Sequence, residues 1–298
     1  MWAEAAVQLH TVRDLLRFAV SRFQEGELTF GHGTDNAYDE AAYLILHALR
    51  LPLDRLEPFL DAQLLPREVE AVLALLARRV NERIPSAYLT HEAWLGEYRF
   101  YVDERVIVPR SHIAEILDQG LDAWVRDSGA VTRALDLCTG SGCLAILLAH
   151  AYPAAKVDAV DLSPEALEVA ARNVQDYGLE QRVRLMKSDL FSALGRERYD
   201  VIVSNPPYVA RAAMQTLPPE YRREPTLALS AGEDGMDVVK RILQDAGRHL
   251  SRAGVLIVEV GSGRAALEAA VPQIDFTWLE TRAGSDLVFL LERGQLPG

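Results

Sequence analysis

Leu135-Asp136-Leu137-Cys138-Thr139-Gly140-Ser141-Gly142 decides the fold. A short apolar strand, Ala134–Cys138, runs into a glycine turn, and an apolar helical stretch, Gly142–Ala151, follows at once. Glycines there let a ligand approach the backbone, with the helix N-terminus facing it. Asp161 stands 21 residues after Gly140, at the end of the next strand, Lys156–Val160. A carboxylate in that place accepts both hydroxyl protons of a ribose, so loop and acid together read as a nucleoside-cofactor site. By itself the pattern is ambiguous. Gly140-Ser-Gly142-Cys-Leu-Ala145 fits a dinucleotide fingerprint, and so does Gly261-Ser-Gly263-Arg-Ala-Ala266, with Glu280 19 residues on. One of the two must be a decoy.

Outward from the loop, strands and helices alternate. Strands are expected at Val183–Lys187, Asp200–Ser204, Gly254–Val260 and Leu287–Leu291, and helices at Pro164–Tyr177, Asp237–Leu250 and Gly263–Ala270. Such alternation means an α/β fold, a mostly parallel, doubly wound sheet covered on both faces. The N-terminal residues differ. Apolar positions at Val69, Val72, Leu73, Leu76 and Val80 recur at the helical period, Pro66 opens that helix, and further helices are expected over 7–23 and 39–50. Tyr88–Trp94 and Glu97–Val108, around Gly96, read as a β-hairpin. The expected division is a helical recognition domain over 1–86, a hairpin linker over 87–108 and a catalytic domain over 109–298.

Composition narrows the function. The 298 residues carry 31 basic and 43 acidic side chains, a net charge of −12. Residues 1–108 and 109–298 each contribute −6, so neither is a basic nucleic-acid module; a basic protein partner suits an acidic chain better. Two cysteines build no disulfide framework or metal site. Residues 137–155 lack Asp, Glu, Lys and Arg, but Gly140, Gly142, His150 and Pro153 interrupt them, so a buried strand and helix are expected rather than a membrane span. With no signal-peptide core, a cytoplasmic location is expected.

Asn205-Pro206-Pro207-Tyr208, closing the fourth strand, carries the chemistry. The prolines fix the backbone and hold the preceding residues extended. The Asn205 side-chain oxygen and the Pro206 carbonyl then offer two acceptors beside the flat face of Tyr208. That suits a planar NH2 group: two acceptors take its protons, the ring stacks on its π-system, and the nitrogen lone pair faces a methyl donor. A proline-rich turn is the plainer reading; the position downstream of a cofactor loop favours the functional one.

These motifs resemble those of class I S-adenosylmethionine-dependent methyltransferases, and the tetrad resembles that of enzymes acting on nucleobase amines or glutamine amides. The Val108-Pro109-Arg110 junction, Tyr221, Glu224-Pro225, Leu229 and Gly232–Gly235 extend the resemblance to protein-glutamine methyltransferases over nearly the whole chain. Gly31–Asn36, Val80–Pro85 and the junction Pro109-Arg110-Ser111-His112-Ile113-Ala114-Glu115 are similar to the branch acting on the third large-subunit ribosomal protein; His112 stands where that branch has proline, and could simply start a helix. The resemblance implies a Rossmann-like fold and S-adenosylmethionine as cofactor, leaving as S-adenosylhomocysteine. It implies cofactor contacts from Asp136, Cys138, Thr139, Gly140, Ser141, Gly142, Asp161, Leu190 and Asn205. Asn205, Pro206 and Tyr208 would be catalytic and, with Pro207, substrate-binding. The implied partner is a basic large-subunit ribosomal protein, with no membrane, no metal and no direct nucleic-acid recognition. Alternatives are a release factor or adenine-bearing nucleic acid as substrate, a nicotinamide-dependent oxidoreductase using either glycine loop, and a non-catalytic ribosome-assembly protein. The last two have no use for the tetrad.

Overall fold

Thr11 divides the first helical stretch. Its hydroxyl accepts the Asp14 N–H at 3.1 Å and the Asp14 carboxylate accepts the Thr11 N–H at 3.0 Å. This reciprocal cap satisfies amides that a new helix leaves open. Two helices, Trp2–Gln8 and Val12–Glu25, therefore replace the single one expected over 7–23. Helices Ala37–Leu49 and Pro66–Glu82 complete the bundle around Leu15, Leu44, Ile45, Val72 and Leu76, all fully buried. The computed structural model describes residues 1–125 and 127–297. They divide into two compact units, one of Met1–Ala93 with Pro218–Arg223, the other of Trp94–Leu217 with Glu224 onward. In the first, Arg79 is buried between the carboxylates of Glu40, at 2.6 Å, and Glu220, at 3.1 Å. Thus six residues from late in the chain belong to the helical unit.

Ser86–Thr90 is a helical turn, and it takes in Tyr88–Thr90, the first half of the strand expected over Tyr88–Trp94. All five residues are buried, and tertiary burial overrides so weak a propensity. The hairpin is short: β1 (Ala93–Leu95) and β2 (Tyr98–Phe100). It stops at Tyr101 because the Asn173 side chain takes that residue's backbone N–H, at 2.8 Å, and its carbonyl, at 3.0 Å.

The second unit is built on β3 (Arg133–Leu137), β4 (Lys156–Asp161), β5 (Val183–Lys187), β6 (Tyr199–Ser204), β7 (Leu250–Glu259), β8 (Thr277–Thr281) and β9 (Gly284–Glu292). They form one sheet in the order β5-β4-β3-β6-β7-β9-β8. The pairings from β5 to β7 are parallel, and β9 runs antiparallel to both neighbours. Alternate residues of β3 face opposite layers. Ala134 packs with helix Cys143–Ala151, while Leu135 and Leu137 pack with helix Asp237–His249. Strand β8, on the sheet edge, and helix Ile113–Gln119, which His112 opens, are among the elements that escaped the sequence reading, as are the short helices Arg211–Met214 and Thr226–Leu229. β7 begins at Leu250, which was expected to end a helix. The charge-free stretch is the end of β3, the glycine turn and helix Cys143–Ala151. Among the described residues no helix is long and apolar enough to cross a membrane.

Strand order reverses between β3 and β6, where a doubly wound sheet opens a crevice at its carboxyl ends. Leu137 pairs with Ser204, so the next residue of each chain segment, Cys138 and Asn205, leaves the sheet side by side.

Candidate active site

A cleft lies at that reversal, lined among others by Cys138, Gly140, Asp161, Leu190, Asn205 and Pro207. Both segments read from the sequence thus reach one cavity. Gly140 has φ +54°, and a Cβ built there meets nothing within 4 Å, so the turn leaves open space beside its backbone. The Gly140 N–H donates to Asp161 Oδ2 at 2.8 Å and the Ser163 N–H to Oδ1 at 2.9 Å. These bonds fix the carboxylate at the cleft, while burial raises its pKa.

Asp136, Thr139, Ser141 and Gly142 do not line the cleft and are buried. Asp136 is fully buried and accepts the Thr139 hydroxyl at 2.5 Å. Burial, opposed by that hydroxyl, pushes its carboxyl up to about 7. Its Oδ1 has no hydrogen-bond partner among the described residues. Asn173 binds the Ser141 carbonyl at 2.8 Å as well as Tyr101, tying the loop to helix Pro164–Asp176. Leu190 is buried in the core and borders the cleft, with φ +50°.

In the tetrad, Pro206 is buried and Asn205, Pro207 and Tyr208 are half-buried. Pro206 and Tyr208 are not part of the cleft lining. The Tyr208 hydroxyl donates to Glu259 Oε1 at 3.2 Å. Burial raises the pKa of Tyr208, and the adjacent carboxylate raises it further; burial also raises that of Glu259. Beyond the tetrad the Val209 N–H donates to the Leu229 carbonyl at 2.8 Å, and the Ala231 N–H returns to the Val209 carbonyl at 3.1 Å.

The sequence reading missed much of the wall. Arg105, Val106 and Ile107 line one part, Pro225, Leu227, Ala228 and Ser230 another, and Arg241, bonded to Asp189 at 2.8 Å, a third. The first two parts are fastened together. Arg110 grips Glu224 bidentately at 2.5 and 2.7 Å, and Glu224 also accepts the Val108 N–H at 3.0 Å. The signal was visible as Val108-Pro109-Arg110 and Glu224-Pro225. What was invisible was that two motifs more than a hundred residues apart are the halves of one clamp.

The methyltransferase small domain family matches residues 114–217. A protein of Neisseria meningitidis serogroup B (strain ATCC BAA-335 / MC58), named ribosomal protein uL3 glutamine methyltransferase, is 60% identical over 298 residues, covering 100% of this chain and 98% of that protein. This chain belongs to the uL3 glutamine methyltransferase family. Proteins of the same name from Bordetella pertussis (60% identical over 97% of both chains) and Xanthomonas campestris pv. campestris (50% identical over 99% of this chain and 96% of that protein) extend the likeness. Among solved structures, the hMettl16 catalytic domain in complex with a MAT2A 3'UTR hairpin superposes with a TM-score of 0.52. It is 16% identical, covers 76% of this chain and 80% of that one, and shares the fold. The glutamine methyltransferase reading of the sequence, its ribosomal branch and the class I fold are thereby borne out.

Proposed function

We propose that the chain transfers the methyl group of S-adenosylmethionine to the side-chain amide nitrogen of a glutamine in ribosomal protein uL3. The observation that carries this reading is one cleft lined by Gly140, Asp161 and Asn205. The residues fit the cofactor. Gly140 leaves space where a side chain would intrude, and Asp161, held by two backbone donors, retains lone pairs for ribose hydroxyls. Leu162 and Leu190 offer apolar surface to a base. Asp136, Thr139, Ser141 and Gly142 serve by shaping the loop, and Cys138 borders the methionine end.

Bound there, the cofactor supplies a methyl carbon activated by its sulfonium. The protein supplies position. Asn205 Oδ1 and the Pro206 carbonyl accept hydrogen bonds from the two amide N–H groups and turn the nitrogen lone pair toward the donor; Tyr208 covers the flat face of the amide, and once the nitrogen carries the methyl group one N–H proton is lost to solvent. Alignment of reactants and fixed dipoles then carry the rate, with no covalent intermediate. The net charge of −12 suits a basic ribosomal protein, and the helical N-terminal residues, 1–86, are proposed to share in recognising it.

The test is incubation of the protein with isotopically labelled S-adenosylmethionine and purified uL3, followed by peptide mass spectrometry. Label on a glutamine side chain of uL3 is expected, and none after that glutamine is replaced. Label on a release factor instead of uL3 would contradict the reading.

A further inference from the structure

The second glycine run, Glu259-Val260-Gly261-Ser262-Gly263, lines no part of the cleft, yet it is built around one side chain of the tetrad. We propose that it is the seat of Tyr208: Glu259 and Gly261 are positioning residues that set the ring against the substrate amide. This rests on the reading of Tyr208 as the face that covers the amide.

β7 lies beside β6 with Val258 paired to Ser204, so Glu259, the last residue of β7, stands next to the start of the tetrad. Its side chain is 3% exposed. Oε1 accepts the Tyr208 hydroxyl at 3.2 Å; Oε2 accepts the Ser111 hydroxyl at 2.7 Å and the His112 N–H at 2.8 Å. Burying a carboxylate is costly, and an apolar residue would fill the same space more cheaply. What a carboxylate adds is direction: Oε2 is fixed by two donors, so Oε1 is a fixed point for the tip of Tyr208. Gly261 controls the ring edge. Its φ is +51°, and a Cβ there would stand 2.7 Å from Tyr208 Cε2 and 3.1 Å from Cζ. Only a residue without a side chain lets the ring lie where it does. The Tyr208 backbone is held separately, since Val209 is bonded to Leu229 and Ala231. Main chain, ring tip and ring edge are therefore constrained independently. At Gly263 a Cβ would stand 2.5 Å from Met236 Cε, the movable end of a flexible side chain, so the constraint there is weaker than at Gly261. The run keeps a cofactor-loop sequence, but its space is occupied by protein.

Glu259→Gln and Gly261→Ala test this, each made in the wild-type chain and in Tyr208→Ala. The readouts are kcat and KM for uL3 methylation and the Kd of S-adenosylmethionine. Glutamine keeps the shape. Its oxygen is claimed by the two donors at Ser111 and His112, which leaves its NH2 toward Tyr208; the charge-assisted bond from the tyrosine hydroxyl is replaced by a weaker, reversed one in which the tyrosine oxygen accepts. Each change is expected to lower kcat roughly tenfold in the wild-type chain through misplacement of the ring, with cofactor Kd altered less than about twofold. In the Tyr208→Ala chain, already slow, each should cost less than about twofold more, because the ring it positions is gone. If Gly261→Ala does not fold, as judged by lost cofactor binding, Glu259→Gln carries the test. Wild-type kcat in the folded variants, with Tyr208→Ala severely impaired, would overturn the seat and leave the role of Tyr208 standing. The same loss of kcat in both backgrounds would also overturn it, as action independent of the ring. A Tyr208→Ala chain as fast as wild type would overturn the stacking role and the seat together.

Discussion

Two segments of the sheet carry the same glycine pattern, and they end differently. The first follows β3, at the reversal of strand order, and the second follows β7, two strands away. At Gly140 a Cβ would meet nothing within 4 Å; at Gly261 it would meet the Tyr208 ring and at Gly263 the end of the Met236 side chain. The acids differ too. Asp161 borders the cleft, bonded to the Gly140 backbone, whereas Glu280 sits exposed on edge strand β8. A glycine pattern specifies a backbone that something can approach. Topology decides whether that something is a ligand or another part of the chain.

If the first loop serves methyl transfer to an amide, the largest effect should come from the neighbouring tetrad. Asn205→Ala removes an acceptor for the amide protons, and kcat for uL3 should fall roughly 10²-fold while the Kd for cofactor changes little. Equal turnover in the folded variant would make the tetrad a structural turn. Asn205→Asp sharpens the point by keeping an acceptor and adding charge.

The next effect concerns the wall of the first loop's cleft. Arg110→Ala leaves Glu224, whose side chain is 0% exposed, without its bidentate partner; Arg110 itself is 27% exposed. Urea denaturation should show a loss on the order of 2 kcal/mol, below the value for a fully buried pair because water reaches the arginine. No change in stability would mean that the clamp does not hold the wall. The smallest effect lies under the first loop. Asp136 is pushed up to about 7, so the folded state retains a proton that the unfolded chain loses near 4. Its contribution to stability is full below about pH 4 and is lost as pH rises through about 7. Asp136→Asn should flatten that decline in thermal melts of the cofactor-free protein; parallel curves would refute the assignment.

Much of this was legible in the residues because each depended on short-range order. Asp136 to Gly142, Asp161 at the end of the next strand and the rigid Asn205–Tyr208 turn are local patterns with direct consequences for the backbone. The edge strand β8 was not legible, since five residues, only partly buried, show little periodicity. Tyr88–Thr90 misled because their side chains favour a strand, while their buried surroundings hold them in a helical turn. The choice between the two glycine loops was out of reach for a different reason: the closing of the second depends on Tyr208, more than fifty residues earlier in the chain. The same holds for the pairing of Arg110 with Glu224. Contacts between distant segments leave both partners visible in a sequence and the bond between them hidden.

Calorimetric titration of S-adenosylmethionine into the wild-type chain, Asp161→Ala and Glu280→Ala, with NAD as a second ligand, tests the comparison most directly. Asp161→Ala should weaken S-adenosylmethionine by about 1.5–3 kcal/mol, the worth of hydrogen bonds to a charged group, while Glu280→Ala matches wild type and NAD gives no heat of binding. Tight NAD binding that is lost in Glu280→Ala, with S-adenosylmethionine unaffected by Asp161→Ala, would contradict the assignment of the cofactor to the first loop.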